Sequence, residues 1–306
     1  MHHKIKKGLI TVTLLSVILS PAVLHARFFR YRKRAGRSGA YFLRLDRTTG
    51  SIGMGDAVSA VLSGGGAINS NPAGLALSEE KELSMSSLFL PDSMNFSTVR
   101  FAQKMGSTGF SSGISFSSLR SGLIQSFDSL GNSRGEFSPQ FMLTTYSLAR
   151  RLERFTLGMD LKVLYGDVNG NTAMGTAGDI GFLYLSGKKR FVCGLALKNF
   201  GPKFRFNNQP DPMPVSADTG FSMRMFEDRI NLAGGVEIPS DDIEKYKFGL
   251  EYVLNSQCFL RSGWNSLSKL SAGFGIKYGR FLLDYAYVSG SSDGWASHAV
   301  SLILEY

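Results

Sequence analysis

Hydrophobic and polar residues alternate with a period of two over most of the chain from Glu82 onward. The segment 154–165 reads RFTLGMDLKVLY, and 245–254 and 268–278 read KYKFGLEYVL and SKLSAGFGIKY. Successive side chains of a strand point to opposite faces, so this period predicts strands with one apolar and one polar face. A helix would instead repeat its apolar positions every three to four residues.

Fourteen segments carry this alternation, and most have the length that a tilted strand needs to cross a bilayer. They are 82–90, 95–104, 108–117, 137–149, 154–165, 174–185, 190–200, 214–225, 229–239, 245–254, 257–264, 268–278, 280–288 and 297–306. The pattern therefore predicts an all-β fold, a single antiparallel transmembrane β-barrel of about 14 strands.

The predicted connections alternate between long and short. Long ones are expected at 118–136, 166–173, 201–213 and 289–296, and short ones at 150–153, 186–189 and 226–228. Outer-membrane barrels place short turns on the periplasmic side and long loops outside. With an even strand count, both termini are then expected in the periplasm. The connection near 265–267 is the exception, because it should be long and is short.

The chain ends in an alternating strand that stops on an aromatic residue. Val300, Leu302, Leu304 and Tyr306 share one face. Such an ending is typical of barrels that are inserted into the bacterial outer membrane. It predicts an insertion signal that closes the barrel, with outer-membrane lipid and the barrel-assembly machinery as partners.

A soluble β-sandwich is the competing interpretation of the same period, since it also has strands with one apolar face. The number and length of the strands and the alternating loop lengths favour the barrel. Tyrosines also recur near predicted strand ends, where a membrane barrel carries its aromatic girdle. They are Tyr165, Tyr184, Tyr246, Tyr278 and Tyr306.

The first 26 residues predict a signal peptide. A basic start is followed by the apolar stretch 9–19, which is too short for a membrane-spanning helix. Cleavage is expected after Ala22 or Ala26. Export and the predicted barrel together indicate a bacterial outer-membrane protein.

The formal net charge of +10 comes almost entirely from the start of the chain. Nine of the 34 basic residues lie in positions 1–37, which contain no acid, so 25 basic residues face 24 acidic ones in the rest. A nucleic-acid-binding protein would spread its basic residues over a folded face, so nucleic acid is not an expected partner. The basic segment 27–37 is either a solvated tail or a contact for anionic headgroups or an acidic partner.

Residues 27–81 are expected to form the basic tail and a hatch, ahead of a barrel at 82–306. Gly53 and Gly55 permit positive φ and close backbone approach. Asn71 precedes Pro72 and is therefore disfavoured in a helix. Small residues of this kind suit a compact plug, although an ordinary periplasmic loop is the alternative. The hatch motif consists of Gly53, Met54, Gly55, Asn71, Pro72, Ala73 and Gly74.

Several short motifs resemble those of the bacterial PorV/PorQ family, relatives of the FadL-type long-chain fatty-acid channels. The start GAYFL at 39–43, GMGDA at 53–57 and NPAGL at 71–75 carry the resemblance. Weaker agreement follows at AGDIG, LKNFGP, FGLEY and LDYAY. The resemblance implies a fourteen-stranded barrel with an internal N-terminal hatch. The family includes an accessory of the type IX secretion system that shuttles secreted proteins, together with members of unassigned role, so the resemblance implies a secretion accessory as one possible role.

The residues for catalysis or metal binding are sparse. After the leader the only histidine is His298, so no histidine cluster can form. The glycines at 50, 53 and 55 do not form a dinucleotide or Walker motif. The sequence therefore predicts a protein that is not an enzyme, with no catalytic, cofactor or metal site.

Charged residues on the predicted polar faces are expected to point into the lumen, because charge on the lipid face is costly. They are Asp160, Lys162, Asp179, Lys198, Lys247, Glu251, Lys277 and Asp284. Paired across strands, they would hold the lumen and hatch together, or they would line a permeation path.

Two functions are open at this stage, and a purely structural surface protein is the fallback. One is a channel for small hydrophobic or amphipathic molecules, with the hatch as its gate. The other is a secretion or surface-assembly accessory that binds secreted protein clients. A channel predicts an apolar pocket at the hatch or a lateral gap in the wall. A client-binding barrel predicts a sealed lumen and an exposed surface on the loops at 118–136 and 201–213.

Overall fold

The computed structural model describes residues 38–57, 59–106, 108–186, 190–206, 209–267, 269–290 and 296–306. The predicted signal peptide with its cleavage positions and the basic segment 27–37 lie outside the described residues. The described chain is dominated by β-strands, as its alternating pattern predicts.

Eighteen strands are present in the described residues, and they are numbered β1 to β18 in chain order. They are β1 Glu82–Phe89, β2 Asn95–Met105, β3 Phe110–Arg120, β4 Ile124–Phe127, β5 Ser133–Phe137, β6 Gln140–Leu152, β7 Phe155–Val168, β8 Asn171–Leu185, β9 Phe191–Phe200, β10 Phe204–Phe206, β11 Gln209–Asp211, β12 Ser216–Met225, β13 Ile230–Pro239, β14 Lys245–Val253, β15 Cys258–Asn265, β16 Lys269–Tyr278, β17 Phe281–Val288 and β18 Ser297–Glu305.

Fourteen of these strands form one closed barrel. Each is antiparallel to its neighbours, and β1 closes the barrel by pairing with β18, from Glu82 opposite Glu305 to Phe89 opposite His298. The remaining four form two small hairpins, β4–β5 and β10–β11. The predicted antiparallel barrel of fourteen strands is confirmed, since each predicted segment overlaps one barrel strand.

The two faces of the wall are inverted relative to a soluble protein. Leu161 in β7 points outward and is 60% exposed, whereas Lys162 next to it points inward and is 2% exposed. The same alternation of exposed and buried residues runs through nearly all of β7. Burying charge while exposing large apolar side chains is favourable only if the outside is not water. The sandwich interpretation is therefore excluded.

The connections divide the barrel into two ends. The loops 121–139 and 201–215, with the two small hairpins, lie at what we call the loop end. The chain enters β1 and leaves β18 at the other end, the terminal end. The predicted long loop at 166–173 is wrong, because β7 and β8 continue to the tight turn Asn169–Gly170, where both residues have positive φ. Asn-Gly is the sequence that favours such a two-residue hairpin turn.

Helical structure is confined to the segment before the barrel, within the described residues. It comprises the short α-helix α1 at Thr49–Gly53 and three 3₁₀ turns at Tyr41–Arg44, Gly64–Ala67 and Pro72–Leu77. No helix of the described residues has the length and apolar character needed to cross a bilayer. The segment lies inside the barrel, where its buried apolar side chains pack against inward residues of the wall.

Candidate functional site in the barrel lumen

The chain passes through the lumen from the loop end to the terminal end. Residues 38–47, here called the strap, lie near the loop end. The Gly39 N–H donates to the carbonyl of Pro212 at 3.0 Å, and the ring of Phe42 stacks on Phe141 with centroids 5.0 Å apart. Arg44 forms an ion pair with Asp241 in the connection between β13 and β14. The strap is therefore attached to the loop end by a few side-chain and backbone contacts.

Residues 48–77, here called the plug, occupy the lumen below the strap. Thr48 caps the N-terminus of helix α1, because its hydroxyl accepts the Ser51 N–H at 3.1 Å, and such a cap stabilises the first turn. Gly55 has φ +63° and lies directly against the backbone of Trp264, so a side chain would be strained and also excluded there. The Gly55 N–H donates to the Ser271 hydroxyl at 3.0 Å.

Asn71 in the Asn-Pro turn caps the turn that follows it and also binds a more distant part of the plug. The Asn71 side-chain oxygen accepts the Ala73 N–H at 3.2 Å, and Pro72 occupies the first helical position, which proline favours. The Asn71 amide donates to the carbonyl of Ser59 at 2.8 Å. This residue thus joins two turns of the plug.

Wall glycines lie where the plug backbone touches the barrel. A Cβ at Gly158 would overlap the backbone of Pro72, and one at Gly263 would overlap Gly55. At Gly249 it would lie 2.5 Å from the Met54 carbonyl oxygen. Such distances are far below van der Waals contact, so these strands admit the plug only because they carry no side chain there.

A buried ion pair joins the end of the strap to the wall. Asp46 pairs with Arg100 of β2, and their side chains are 0% and 2% exposed. Asp46 also accepts hydrogen bonds from Ser117 at 2.9 Å and from the Asn69 amide at 2.6 Å. Buried charges need partners of this kind, because leaving one unpaired costs several kcal/mol.

A third charged residue of the strap is paired within the internal segment. The Arg47 guanidinium donates to Asp56, and the charge of that carboxylate raises the pKa of Arg47. The guanidinium therefore keeps its charge in this environment.

The sequence-predicted lumen charges all lie on inward-facing positions, and each has a partner. Their contacts are Lys162–Asp179 at 2.7 Å, Lys198–Asp218 at 3.1 Å, Lys247–Glu237 at 2.7 Å, Arg261–Glu251 at 2.7 Å, Arg261–Asp284 at 2.6 Å and the pair Lys277–Glu305. Asp160 instead accepts the Asn69 N–H of the plug at 2.9 Å and the hydroxyl proton of Ser147.

Sequence reasoning missed several members of this network. Arg100, Asp218, Glu237 and Arg261 are inward residues of the wall that pair with predicted charges or with the strap. The alternation of apolar and polar residues could have identified them, because each lies one position from outward residues of its own strand. The same alternation could not have identified Asp46, since the strap is not a strand.

One cavity in the lumen is small and has a mixed polar and apolar lining. It measures about 110 Å³ and lies between strap, plug and wall. Its lining combines Leu43, Leu45 and Ile68 of the internal segment with charged residues of the wall and the strap, among them Asp46, Arg47, Asp218 and Lys247. Pockets that hold drug-sized ligands measure roughly 300–1,000 Å³, so this cavity accommodates no such molecule without movement of the strap or plug.

The described wall has no lateral gap. Neighbouring barrel strands pair continuously, and the clearest irregularity is a bulge in the β8–β9 pairing between Gly178 and Ile180. At the terminal end the last residue is also paired, since the Tyr306 N–H donates to the Lys81 carbonyl at 2.9 Å and the Lys81 N–H donates to the Tyr306 carbonyl at 3.0 Å. Val300 and Leu302 lie on the outward face of β18, and each is more than a third exposed.

Comparison with solved structures identifies the architecture. The Ralstonia pickettii toluene transporter TbuX superposes with a TM-score of 0.62 at 13% identity, over 85% of this chain and 98% of that one. The P. putida toluene transporter TodX gives 0.63 at 12% identity, with the same coverage. A Pseudomonas aeruginosa FadL homologue gives 0.57 at 11% identity. No protein-family model and no curated protein matches the sequence. At these identities the likeness shows the fold, which is FadL-like.

Proposed function

We propose that this chain is an outer-membrane channel for small hydrophobic or amphipathic molecules, closed in the conformation described here. One observation carries the proposal: the fold is that of TbuX and TodX, described as toluene transporters, with a segment of the chain filling the lumen. The inverted wall, with apolar side chains outside, supports the placement in a membrane. We also propose that the protein is of the PorV/PorQ type, that its signal peptide is cleaved, and that both termini lie in the periplasm.

The internal segment is the gate of this channel. The cavity beneath the strap mixes leucines with charged groups, which favours amphipathic molecules over pure hydrocarbons. It is too small for them at present, so conduction requires the strap to leave. Its pair Arg44–Asp241 is the contact to release, since both side chains are 7% exposed and lie close to the loop end. The hatch motif residues and the lumen charges are proposed to hold the plug in place.

Uptake by intact cells tests the channel. Radiolabelled toluene and a medium-chain fatty acid are the probes, in cells with the protein, without it, and with Arg44→Ala. We expect uptake to fall on removing the protein and to rise several-fold with Arg44→Ala. Lys104→Ala is the matched control, because the Lys104–Glu79 pair is exposed at the terminal end. Uptake that is unchanged when the whole protein is removed would refute the channel.

A second candidate function is favoured by a different observation. The internal segment occupies the lumen, and residues in and beside the β4–β5 hairpin expose large apolar side chains at the loop end: Leu123 is 71% exposed, Phe127 57% and Leu130 84%. An isolated two-stranded hairpin with such a surface is only marginally stable in water. We propose on this basis a client-binding accessory of secretion or surface assembly as the alternative.

Replacing the hairpin side chains separates the two functions. Phe127→Ser with Leu130→Ser is expected to reduce release of secreted proteins to the medium and to leave probe uptake unchanged if the protein is an accessory. Asp128 accepts hydrogen bonds from the N–H groups of Leu130 and Asn132 at 2.9 Å each. These bonds stabilise the hairpin tip and are retained in the double variant. Normal secretion with the double variant would contradict the accessory function.

A further inference from the structure

The two small hairpins at the loop end present their apolar side chains in opposite ways. The β4–β5 hairpin exposes them, with Phe127 57% exposed, whereas the β10–β11 hairpin turns them inward. Phe204 of β10 is 0% exposed, and Met213 just after β11 is 3% exposed. Arg205, next to Phe204, is exposed. The β10–β11 hairpin is therefore amphipathic, with its apolar face over the lumen and its polar face toward the outside.

Wall glycines make room for the inward face of this hairpin. A Cβ at Gly175 of β8 would lie 2.7 Å from the ring of Phe204, and one at Gly166 of β7 would lie 2.9 Å from the ring of Phe206. A side chain at either glycine would displace the hairpin, because these distances are shorter than van der Waals contact. The hairpin is thus fitted to the wall by the same means as the plug.

The strap begins directly against the β10–β11 hairpin. The Gly39 N–H donates to the carbonyl of Pro212 at 3.0 Å. A Cβ at Gly39 would lie 2.8 Å from the Cβ of Asp211, the last residue of β11. The first residues of the strap therefore touch the returning leg of the hairpin.

A row of four aromatic rings also links the strap to the hairpin. Phe42 of the strap stacks on Phe141 of β6, and Phe141 meets Phe206 edge-on with centroids 6.4 Å apart. Phe206 in turn meets Phe204 edge-on at 5.2 Å. Such ring pairs are attractive beyond the area that they bury. Phe42, Phe204 and Met213 also belong to one buried apolar cluster. Withdrawal of the strap therefore separates apolar surfaces that now cover each other.

We propose that the β10–β11 hairpin is a clamp that holds the strap in the lumen and keeps the channel closed. The inference rests on the proposed channel function, in which the strap has to leave, and it adds the element that controls the leaving. The hairpin is fitted closely to the wall glycines, whereas it holds the strap through a backbone hydrogen bond and ring contacts. The contact that opens is therefore the one between hairpin and strap.

A reversible disulfide between strap and clamp tests this contact. Gly39→Cys with Asp211→Cys is made in the background Cys193→Ala with Cys258→Ala, since both native cysteines are free. Cβ atoms about 3.5–4.5 Å apart suit a disulfide, so the pair needs only a small shift. We expect the oxidised form to take up radiolabelled toluene and a medium-chain fatty acid no faster than cells without the protein. Reduction with dithiothreitol should restore uptake, and neither single-cysteine variant should respond to oxidation. Equal uptake in the oxidised and reduced forms would overturn the clamp.

Labelling of a cysteine in the strap reports on the clamp without any transport. Leu43 is 4% exposed, so Leu43→Cys in the same background reacts with a water-soluble maleimide only when the strap leaves its place. Phe204→Ala with Phe206→Ala loosens the clamp and should raise the labelling rate several-fold in isolated outer membranes. Arg205→Ala is the matched control, because its side chain is exposed, and it should keep the original rate. Equal rates in the loosened and control variants would contradict the proposal.

The two measurements separate the clamp from the channel. Faster labelling in the loosened variant, with no uptake by any form of the protein, would refute the channel and support the clamp. Normal uptake that ignores the disulfide, with unchanged labelling, would refute the clamp and support the channel. Heat-modifiable gel migration shows whether each variant is a folded barrel. If the double alanine variant is not folded, the disulfide alone decides.

Discussion

The strap and the plug are held in the same lumen by different means. The strap is held largely by side chains, among them Arg44 on Asp241 and Asp46 on Arg100. The plug is held by the fit of its backbone against wall glycines, as at Gly158 and Gly263. Side-chain pairs can be released and remade, whereas close backbone packing requires one shape. The difference supports the proposed gating, in which the strap moves while the plug stays.

The largest effect is expected from removing Arg100. Arg100→Met leaves Asp46 buried without its counter-ion, which costs about 3–5 kcal/mol in comparable pairs. We expect a lower unfolding midpoint in urea, followed by tryptophan fluorescence of the detergent-folded protein. A midpoint equal to that of the wild type would show that the strap does not depend on this pair.

The double variant Asp46→Leu with Arg100→Leu sharpens the same test. Replacing both members of a buried pair by apolar residues is often nearly neutral. We therefore expect the double variant to recover most of the stability lost in Arg100→Met. A loss equal to the single variant would mean that the hydrogen bonds to Asp46 matter more than its charge.

The plug should respond to added volume rather than to charge. Gly158→Val places a side chain where the Pro72 backbone lies, and overpacking of this kind costs about 1–3 kcal/mol. The measurement is the urea midpoint, with Met159→Val on the outward face of the same strand as control. Equal midpoints for the two variants would contradict the close packing of plug and wall.

A smaller effect is expected at the Asn-Pro turn. Asn71→Ala removes the capping hydrogen bond from the Ala73 N–H and the hydrogen bond to the Ser59 carbonyl. Loss of a cap costs about 0.5–2 kcal/mol. Hydrogen exchange of the plug amides should increase, while exchange in the barrel strands stays unchanged. Uniformly faster exchange over the whole barrel would show instead that Asn71 contributes to the stability of the wall.

The smallest effect is expected at the exposed pair Lys104–Glu79. Its side chains are 43% and 59% exposed, and such pairs contribute about 0–1 kcal/mol. Lys104→Ala should leave the urea midpoint within error at 150 mM salt. A shift as large as that of Arg100→Met would show that ion pairs near the terminal end also hold the internal segment.

Much of the wall was predictable because its chemistry is local. Each of the fourteen barrel strands follows from the period of two, and the inward charges follow from the same alternation. The loop error at 166–173 has a local cause as well, since Asn169–Gly170 is itself a hairpin-turn sequence. The internal segment was harder, because its short helical turns carry no long period. Its glycines indicated that the backbone approaches another part of the protein closely, but they did not show which residues it contacts.

By itself, the sequence determined the barrel, the strand number and which face of each strand is polar, because side-chain alternation is a property of each strand alone. Only the tertiary structure decided the partners: Asp46 with Arg100, Gly158 with Pro72, and Asp160 with Asn69. Those contacts join residues far apart in the chain or on separate strands. Their meeting depends on the register and closure of the whole barrel, which a local pattern does not contain.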